Sequence, residues 1–352
     1  MATLGFGIIG CGVISAIHAE CIKKISGTKL IAVADVVAEN AQKMADKYQV
    51  AAYSDYHDML ARDDVHAVSL CVPSGMRAEI AEACAAAGKH ILSEKPLEVS
   101  TKRIDRILAA IKKHNVHLGC IFQSRYSDDS IMIKKAIESG RFGKLVLGDA
   151  YIKWYRSPEY YASGAWRGTR KLDGGGCLMN QGVHQIDLLL WFMGPVKSVQ
   201  AQTTRRLHEG LEVEDLATAM LEFQSGAFGV VEGSTAIWPG HPARVEVHGS
   251  EGSALLEDGK LRFWKFSKRR ASDSKVEASL HEESALGSGA GDPLSSLKIE
   301  GHFRNIRDYV NALKKGVSPA LDGMEGRHAV ELIEAIYQSA ATGKTVRINQ
   351  RW

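Results

Sequence analysis

The sequence predicts an α/β Rossmann domain followed by an α+β domain with a mainly antiparallel open sheet, and three observations carry that fold class. Short apolar runs alternate with helical periodicity over the first third of the chain. A glycine turn, Gly10-Cys11-Gly12, stands between the first apolar run and the first helical stretch. After about residue 123 the alternation gives way to extended segments separated by turn signals.

The elements follow in order. Phe6–Gly10 is an apolar strand, and Val13–Ile25 carries helical periodicity. A strand at Leu30–Ala34, a helix at Ala38–Tyr48, a strand at Val65–Val72 and a helix near Ala78–Ala87 come next. His90–Ser93 is a strand, Ser100 opens a helix with Ile104, Ile107, Leu108 and Ile111 on one face, and Val116–Phe122 closes the series. This places a first domain at 1–123 and a second at 124–352, whose closing helices can pack back on the first. In the second, a helix spans Ser127–Gly140, with Ser as N-cap and Gly just past the end. Extended segments lie near 145–154, 196–205, 213–223, 226–236 and 243–248, with a helix inserted near 180–193. Residues 267–298, rich in Ser, Gly and charge, read as a long loop, and helices near 300–315 and 324–341 end the chain.

Composition narrows the function. The 352 residues suffice for two domains with large cores. A net charge of +3, from 44 basic and 41 acidic side chains, argues against nucleic-acid and membrane partners. Six cysteines without C-x-x-C spacing read as buried thiols, so no metal site is expected. Neither a signal peptide nor a membrane span is legible, which points to a reducing cytoplasm.

Gly10-Cys11-Gly12-Val13-Ile14-Ser15 matches the dinucleotide fingerprint, with Ser at the third small position. Gly10 permits the tight turn, and Gly12 lets a pyrophosphate approach the helix N-terminus. Asp35 ends the second strand about 20 residues further on, where a carboxylate accepts ribose hydroxyls and repels a 2′-phosphate. NAD is therefore the expected cofactor. Its candidate contacts are Gly10, Gly12, Val13, Ile14, Asp35, Val72, Pro73, Ser74, Glu94, Lys95 and Gln123.

Candidate reacting groups come from two places. Glu94-Lys95-Pro96 follows the fifth strand, and ligands of such sheets bind beyond the carboxyl ends of strands. Lys95 can hydrogen-bond a substrate hydroxyl and share in proton transfer. Beyond Gly174-Gly175-Gly176, a helix starting at Asn180 sets Asn180, His184 and Asp187 on one face. His184 can take a hydroxyl proton, with Asp187 orienting it. Taken singly, a lysine before proline is more often a surface residue, and a lone histidine is more often buried and satisfied by a carbonyl.

The glycine turn, Glu94-Lys95-Pro96 and Gly182-Val183-His184-Gln185-Ile186-Asp187 together resemble the glucose-fructose oxidoreductase, inositol dehydrogenase and rhizopine catabolism (Gfo/Idh/MocA) family, over nearly the whole chain. The resemblance implies oxidation or reduction of ring hydroxyls of sugars and cyclitols, with Lys95 and His184 as reacting residues and a cis bond before Pro96. Two positions depart from it. Asn180 stands where many members have Asp, so His184 carries more of the acid–base work, and Arg77 stands where histidine is common.

Trp154, Tyr155, Tyr160, Tyr161 and Trp166 crowd a segment that also holds Arg156, Arg167, Arg170 and Lys171. Aromatic faces suit sugar C–H surfaces and guanidinium groups suit carboxylate or phosphate, while an aromatic core beneath solvated cations explains the pattern equally well. Asn180, Tyr160, Trp166, Arg167 and Asp187 are the candidate substrate contacts. Trp166-Arg167-Gly168, Asn180 and Pro73-Ser74-Gly75 resemble the subgroup that includes UDP-N-acetyl-2-amino-2-deoxyglucuronate 3-dehydrogenases. The expected activity is hydride transfer at a ring carbon, C3, of a sugar, glycoside or nucleotide-sugar, by a homodimer or homotetramer. A glycosidase or lyase working through transient C3 oxidation and a non-catalytic NAD sensor are the alternatives.

Overall fold

The computed structural model describes residues 3–280 and 299–348. In chain order it opens with β1 (Leu4–Ile9), α1 (Val13–Lys24), β2 (Thr28–Ala34), α2 (Ala38–Tyr48), β3 (Ala51–Tyr53), α3 (Tyr56–Leu60), β4 (Ala67–Leu70), α4 (Arg77–Ala86), β5 (His90–Ser93), α5 (Thr101–His114) and β6 (Leu118–Cys120). It continues with α6 (Asp128–Glu138), β7 (Leu145–Lys153), α7 (Pro158–Ala162), a π-helical turn (Cys177–Gly182) and α8 (Val183–Met193). Strands β8 (Val196–Thr204), β9 (Leu216–Phe223), β10 (Phe228–Ser234), β11 (Arg244–Gly249), β12 (Gly252–Glu257) and β13 (Lys260–Phe266) follow. Helices α9 (Ala271–Ala278), α10 (Ile299–Lys315) and α11 (Gly323–Thr342), then β14 (Val346–Arg347), complete it.

Two compact units result, Met1–Gln123 with Lys298–Arg327, and Ser124–Leu297 with His328–Trp352. The first holds a six-stranded sheet in the order β3-β2-β1-β4-β5-β6, every neighbour parallel. Parallel strands covered on both faces must be apolar throughout, and Phe6, Ile8, Val33, Val68, Leu70 and Ile91 are wholly buried. α10 completes this unit. Asn305 accepts from the Phe122 N–H at 2.9 Å, and the Tyr309 ring fills the space that a side chain at Gly119 would need.

The second unit holds an eight-stranded sheet, β13-β12-β11-β7-β10-β9-β8-β14, antiparallel except where β10 runs parallel to β7. α8 packs against one face, with Met193 set against Gly148 of β7. The pairing register puts Leu147 and Phe228, and in the next row Met220 and Phe263, on one face of the sheet, all of them exposed.

Four differences from the sequence reading have physical causes. β3 and β14 are too short to show a period, and helices α3 and α7 span a single turn or so. The hairpin β12–β13 closes on Asp258-Gly259, both with positive φ (47° and 73°), the pair that a tight two-residue turn favours. Part of the stretch read as a long loop is helix α9, capped by the Asp273 side chain on the Arg270 N–H (2.7 Å), and 281–298 lies outside the described residues. The fourth difference bears on the site. Asn180 does not begin the α-helix but lies in the π-helical turn before it, so a continuous α-helical stripe from Asn180 to Asp187 is broken at its first member.

Candidate active site

In the first unit the glycine turn is built as a dinucleotide cradle. Gly10 has φ +91°, and a Cβ there would stand 2.7 Å from the Cys71 carbonyl oxygen, so only glycine fits. Gly12 faces open space at the N-terminus of α1, whose first turn has neither a side-chain cap nor an acid. Its N–H groups and positive dipole end remain for an anion. Asp35 accepts from the Cys11 N–H (2.7 Å) and the Val37 N–H (2.9 Å), which ties the glycine turn to the end of β2. Val13 and Val36 are 63% and 79% exposed, apolar side chains beside the cradle that suit a nucleoside's apolar faces. Ile14 is half-buried, Ser15 is buried, and Ser15 Oγ donates to the Gly12 carbonyl (2.5 Å). These residues fit NAD.

Past β4, Val72 and Ser74 are buried with Pro73 between them. Arg77, also buried, donates from Nε and Nη2 to the Val72 carbonyl (3.1 and 2.9 Å) and from Nη1 to the carbonyls of Glu94 (2.6 Å) and Pro96. At the position where the resemblance suggested histidine, this chain therefore has a clamp between two loops at the carboxyl ends of β4 and β5. The Lys95–Pro96 bond is cis. Lys95 is half-buried, and the Glu94 side chain turns inward. Gln123 packs against Gly301 of α10.

The second unit builds its polar cluster on the π-helical turn. Gly176 approaches the chain at Glu214 so closely that a Cβ would stand 1.7 Å from the Glu214 carbonyl oxygen. The buried Glu214 carboxylate accepts from the N–H groups of Gly176 (2.9 Å) and Leu178 (3.1 Å) and from the Tyr337 hydroxyl (2.9 Å). Burial pushes its pKa above the usual carboxylate value, against the pull of these donors. Asn180 Nδ2 donates to Asp173 Oδ1 (2.6 Å). His184 is half-buried in the first turn of α8. Asp187, 1% exposed, accepts a two-pronged pair from Arg125, Nε to Oδ2 at 2.8 Å and Nη2 to Oδ1 at 2.6 Å.

The aromatic segment gathers beside the same turn. Gln181 Nε2 (3.0 Å) and Arg167 Nη1 (2.8 Å) both donate to the Tyr160 hydroxyl. The Arg167 guanidinium stacks on Tyr160 and Trp166, 4.4 Å from each ring centre, and Arg156 lies over Trp154 and Tyr160.

The candidate cofactor residues thus lie together in the first unit, and Asn180, His184, Asp187, Tyr160, Trp166 and Arg167 in the second. Sequence reasoning did not single out Arg125, Asp173, Glu214, Tyr337, His18 or His302. Asp173 meets Asn180 seven residues on, outside any helical or strand period, and each of the others acts through a partner remote in sequence, which no local spacing reveals.

Comparison with known proteins agrees with the two folds and with the dinucleotide cradle. Residues 4–122 match the oxidoreductase family with an NAD-binding Rossmann fold, and residues 131–255 match the GFO/IDH/MocA C-terminal domain. An uncharacterized oxidoreductase of Bacillus subtilis, YrbE, is 32% identical over 259 residues, 72% of this chain and 74% of that protein. The myo-inositol 2-dehydrogenase of Thermotoga maritima is 28% identical over 98% of both chains. The structure of the WlbA dehydrogenase from Bordetella pertussis, in complex with NADH and UDP-GlcNAcA, is similar at TM-score 0.89 and 29% identity, covering 99% of this chain and 98% of that one. On fold, cofactor cradle and sequence together, the chain belongs to the GFO/IDH/MocA family of NAD-binding oxidoreductases.

Proposed function

We propose that this protein is an NAD-dependent dehydrogenase that acts on a ring hydroxyl carbon, C3, of a sugar, glycoside or nucleotide-sugar. The observation that carries the reading is the cradle of Gly10, Gly12 and Asp35, with Lys95 on the loop beyond β5. A polyol substrate is supported by the likeness to inositol dehydrogenases, and a nucleotide-sugar by the likeness to WlbA.

Bound NAD supplies the hydride acceptor. A hydride leaves a carbinol carbon only as the hydroxyl proton departs, so a positioned base is needed. His184 takes that proton, and the Lys95 ammonium steadies the oxygen as it gains carbonyl character. Asn180 cannot accept a proton and serves as a hydrogen-bonding wall, fixed by Asp173. Arg167, Tyr160 and Trp166 offer stacking faces and a cation for the rest of the substrate.

Enzyme mixed with NAD and a panel of myo-inositol, neutral sugars and UDP-linked uronates should give NADH absorbance with at least one of them. Glycoside cleavage without net NADH would overturn the simple dehydrogenase in favour of a redox-neutral lyase.

The protein acts as a homodimer or homotetramer. Leu147, Met220, Phe228 and Phe263 lie exposed on one sheet face, which a second copy would cover. Light scattering should give a multiple of 38.3 kDa, and a monomer at micromolar concentration refutes it. Among the described residues no helix is long and apolar enough to cross a membrane. Among the described residues no two cysteines form a disulfide, which suits a reducing cytoplasm.

A further inference from the structure

In the first unit, two buried histidines on helices distant in sequence converge on one oxygen of the buried Glu94. His18 Nε2, on α1, donates to Glu94 Oε1 at 3.0 Å. His302 Nε2, on α10, approaches the same oxygen to 3.5 Å. The other oxygen, Oε2, accepts from the Lys95 main-chain N–H at 3.1 Å. His18, Glu94 and His302 are 0%, 5% and 3% exposed.

An ionised carboxylate so far from water is tolerated only where donors replace its hydration. Burial works against ionisation of Glu94, but the hydrogen bonds from His18 and His302 hold its pKa well below the usual carboxylate value. Burial also lowers the pKa of His18, which keeps it neutral. Its proton then sits on Nε2 toward Glu94, and its Nδ1 accepts from the Ser69 hydroxyl at 2.6 Å. His302 Nδ1 has no hydrogen-bond partner among the described residues, so the proton of that ring serves best on Nε2, again toward Glu94. Arg77 Nη1 also donates to the Glu94 and Pro96 carbonyls of the same loop.

We propose that His18 and His302 are positioning residues for Lys95: through the Glu94 carboxylate they fix the loop from which the Lys95 side chain is presented. The proposal rests on Lys95 as a reacting residue. Its logic is geometric, because displacement of a reacting group by about 1 Å costs up to about 100-fold in rate.

The test uses the full chain and the sugar that gives NADH in the panel above. His18→Leu and Glu94→Gln should lower kcat by about 10- to 100-fold, and His302→Leu by about 10-fold, with KM and NADH affinity within about threefold of the parent. His18→Gln and His302→Gln, which return an N–H near the position of Nε2, should recover most of the loss. Unchanged kcat in either Leu variant overturns the proposal, as does an equal loss in the Leu and Gln variants. If His18→Leu does not fold, the His302 pair decides. The three side chains are also a donor set for a divalent cation, so stoichiometric zinc in the purified protein overturns the hydrogen-bonded arrangement. Lys95→Met with full turnover sinks the reading of Lys95 itself. Lys95→Met inactive beside a fully active His302→Leu sinks only the positioning.

Discussion

Lys95 and His184 are the side chains on which turnover should depend. Losing a positioned acid–base group costs roughly 10²–10⁴-fold in rate. Lys95→Met and His184→Ala should lose kcat on that scale while NAD affinity, set by Gly10, Gly12 and Asp35, stays nearly unchanged in a titration. Asn180 gives a sharper forecast, because its amide donates to Asp173 at 2.6 Å and Asp173 is 2% exposed. Asn180→Asp would set two carboxylates in contact, and one of them must keep its proton. That raises the folded-state pKa above the unfolded one, so the variant's stability is present at low pH and lost as pH rises through the raised value. Its melting temperature should therefore fall relative to the parent between mildly acidic and neutral pH, and parallel curves would refute the contact. At this scale chain position sets Lys95 after β5 and His184 on α8, while their proposed roles rest on the family resemblance. Arg125 on Asp187 and Glu214 beneath Gly176 were not, because pairs 62 and 38 residues apart leave no periodic trace.

Local elements were legible where a local rule set them. Ser127 caps α6 and Ser100 caps α5 with their hydroxyls, as short polar side chains before an apolar period do. The Asp258-Gly259 turn carried the same kind of signal, and it could have disclosed β12 and β13. The π-helical turn at Cys177–Gly182 had no such signal, since it depends on Glu214 holding two of its N–H groups from another strand region. Helix α9 shows how an element can hang on one side chain. Asp273 accepts from Arg141 (2.7 Å), Trp264 Nε1 (3.1 Å) and the Arg270 N–H. Burial opposes ionisation, yet these donors hold the carboxyl at about 2. A folded pKa below the unfolded one stabilises the fold above about pH 4 and loses that support as pH falls toward 2, on the order of 2 kcal/mol. Asp273→Asn should flatten the acid limb of a stability–pH curve measured by urea unfolding, and an unchanged limb would remove Asp273 as its cause.

For the whole molecule, sequence reading recovers the order of layers better than the ownership of elements. The alternation of strands and helices gives a wound sheet first, and the turn-separated segments give a second sheet. The amphipathic pattern of 299–315 says only that one face is buried, not which sheet it serves. In the structure α10 supplies Asn305 and Tyr309 to the first unit. A fragment ending at residue 123 should therefore lack a cooperative melt and bind NAD weakly. Adding 298–327 through a flexible linker should restore both, and a fragment as stable as the whole chain would refute that dependence.

Translation gives this discontinuity a clock. The nascent chain emerges amino end first, yet the first sheet waits for a helix encoded after nearly all of the second. At about 5–20 residues per second, the ribosome takes roughly 10–40 s to deliver it. During that interval the early strands stand without their last covering helix, so codon-level pauses just before residue 299 would lengthen the time in which chaperones must shield them.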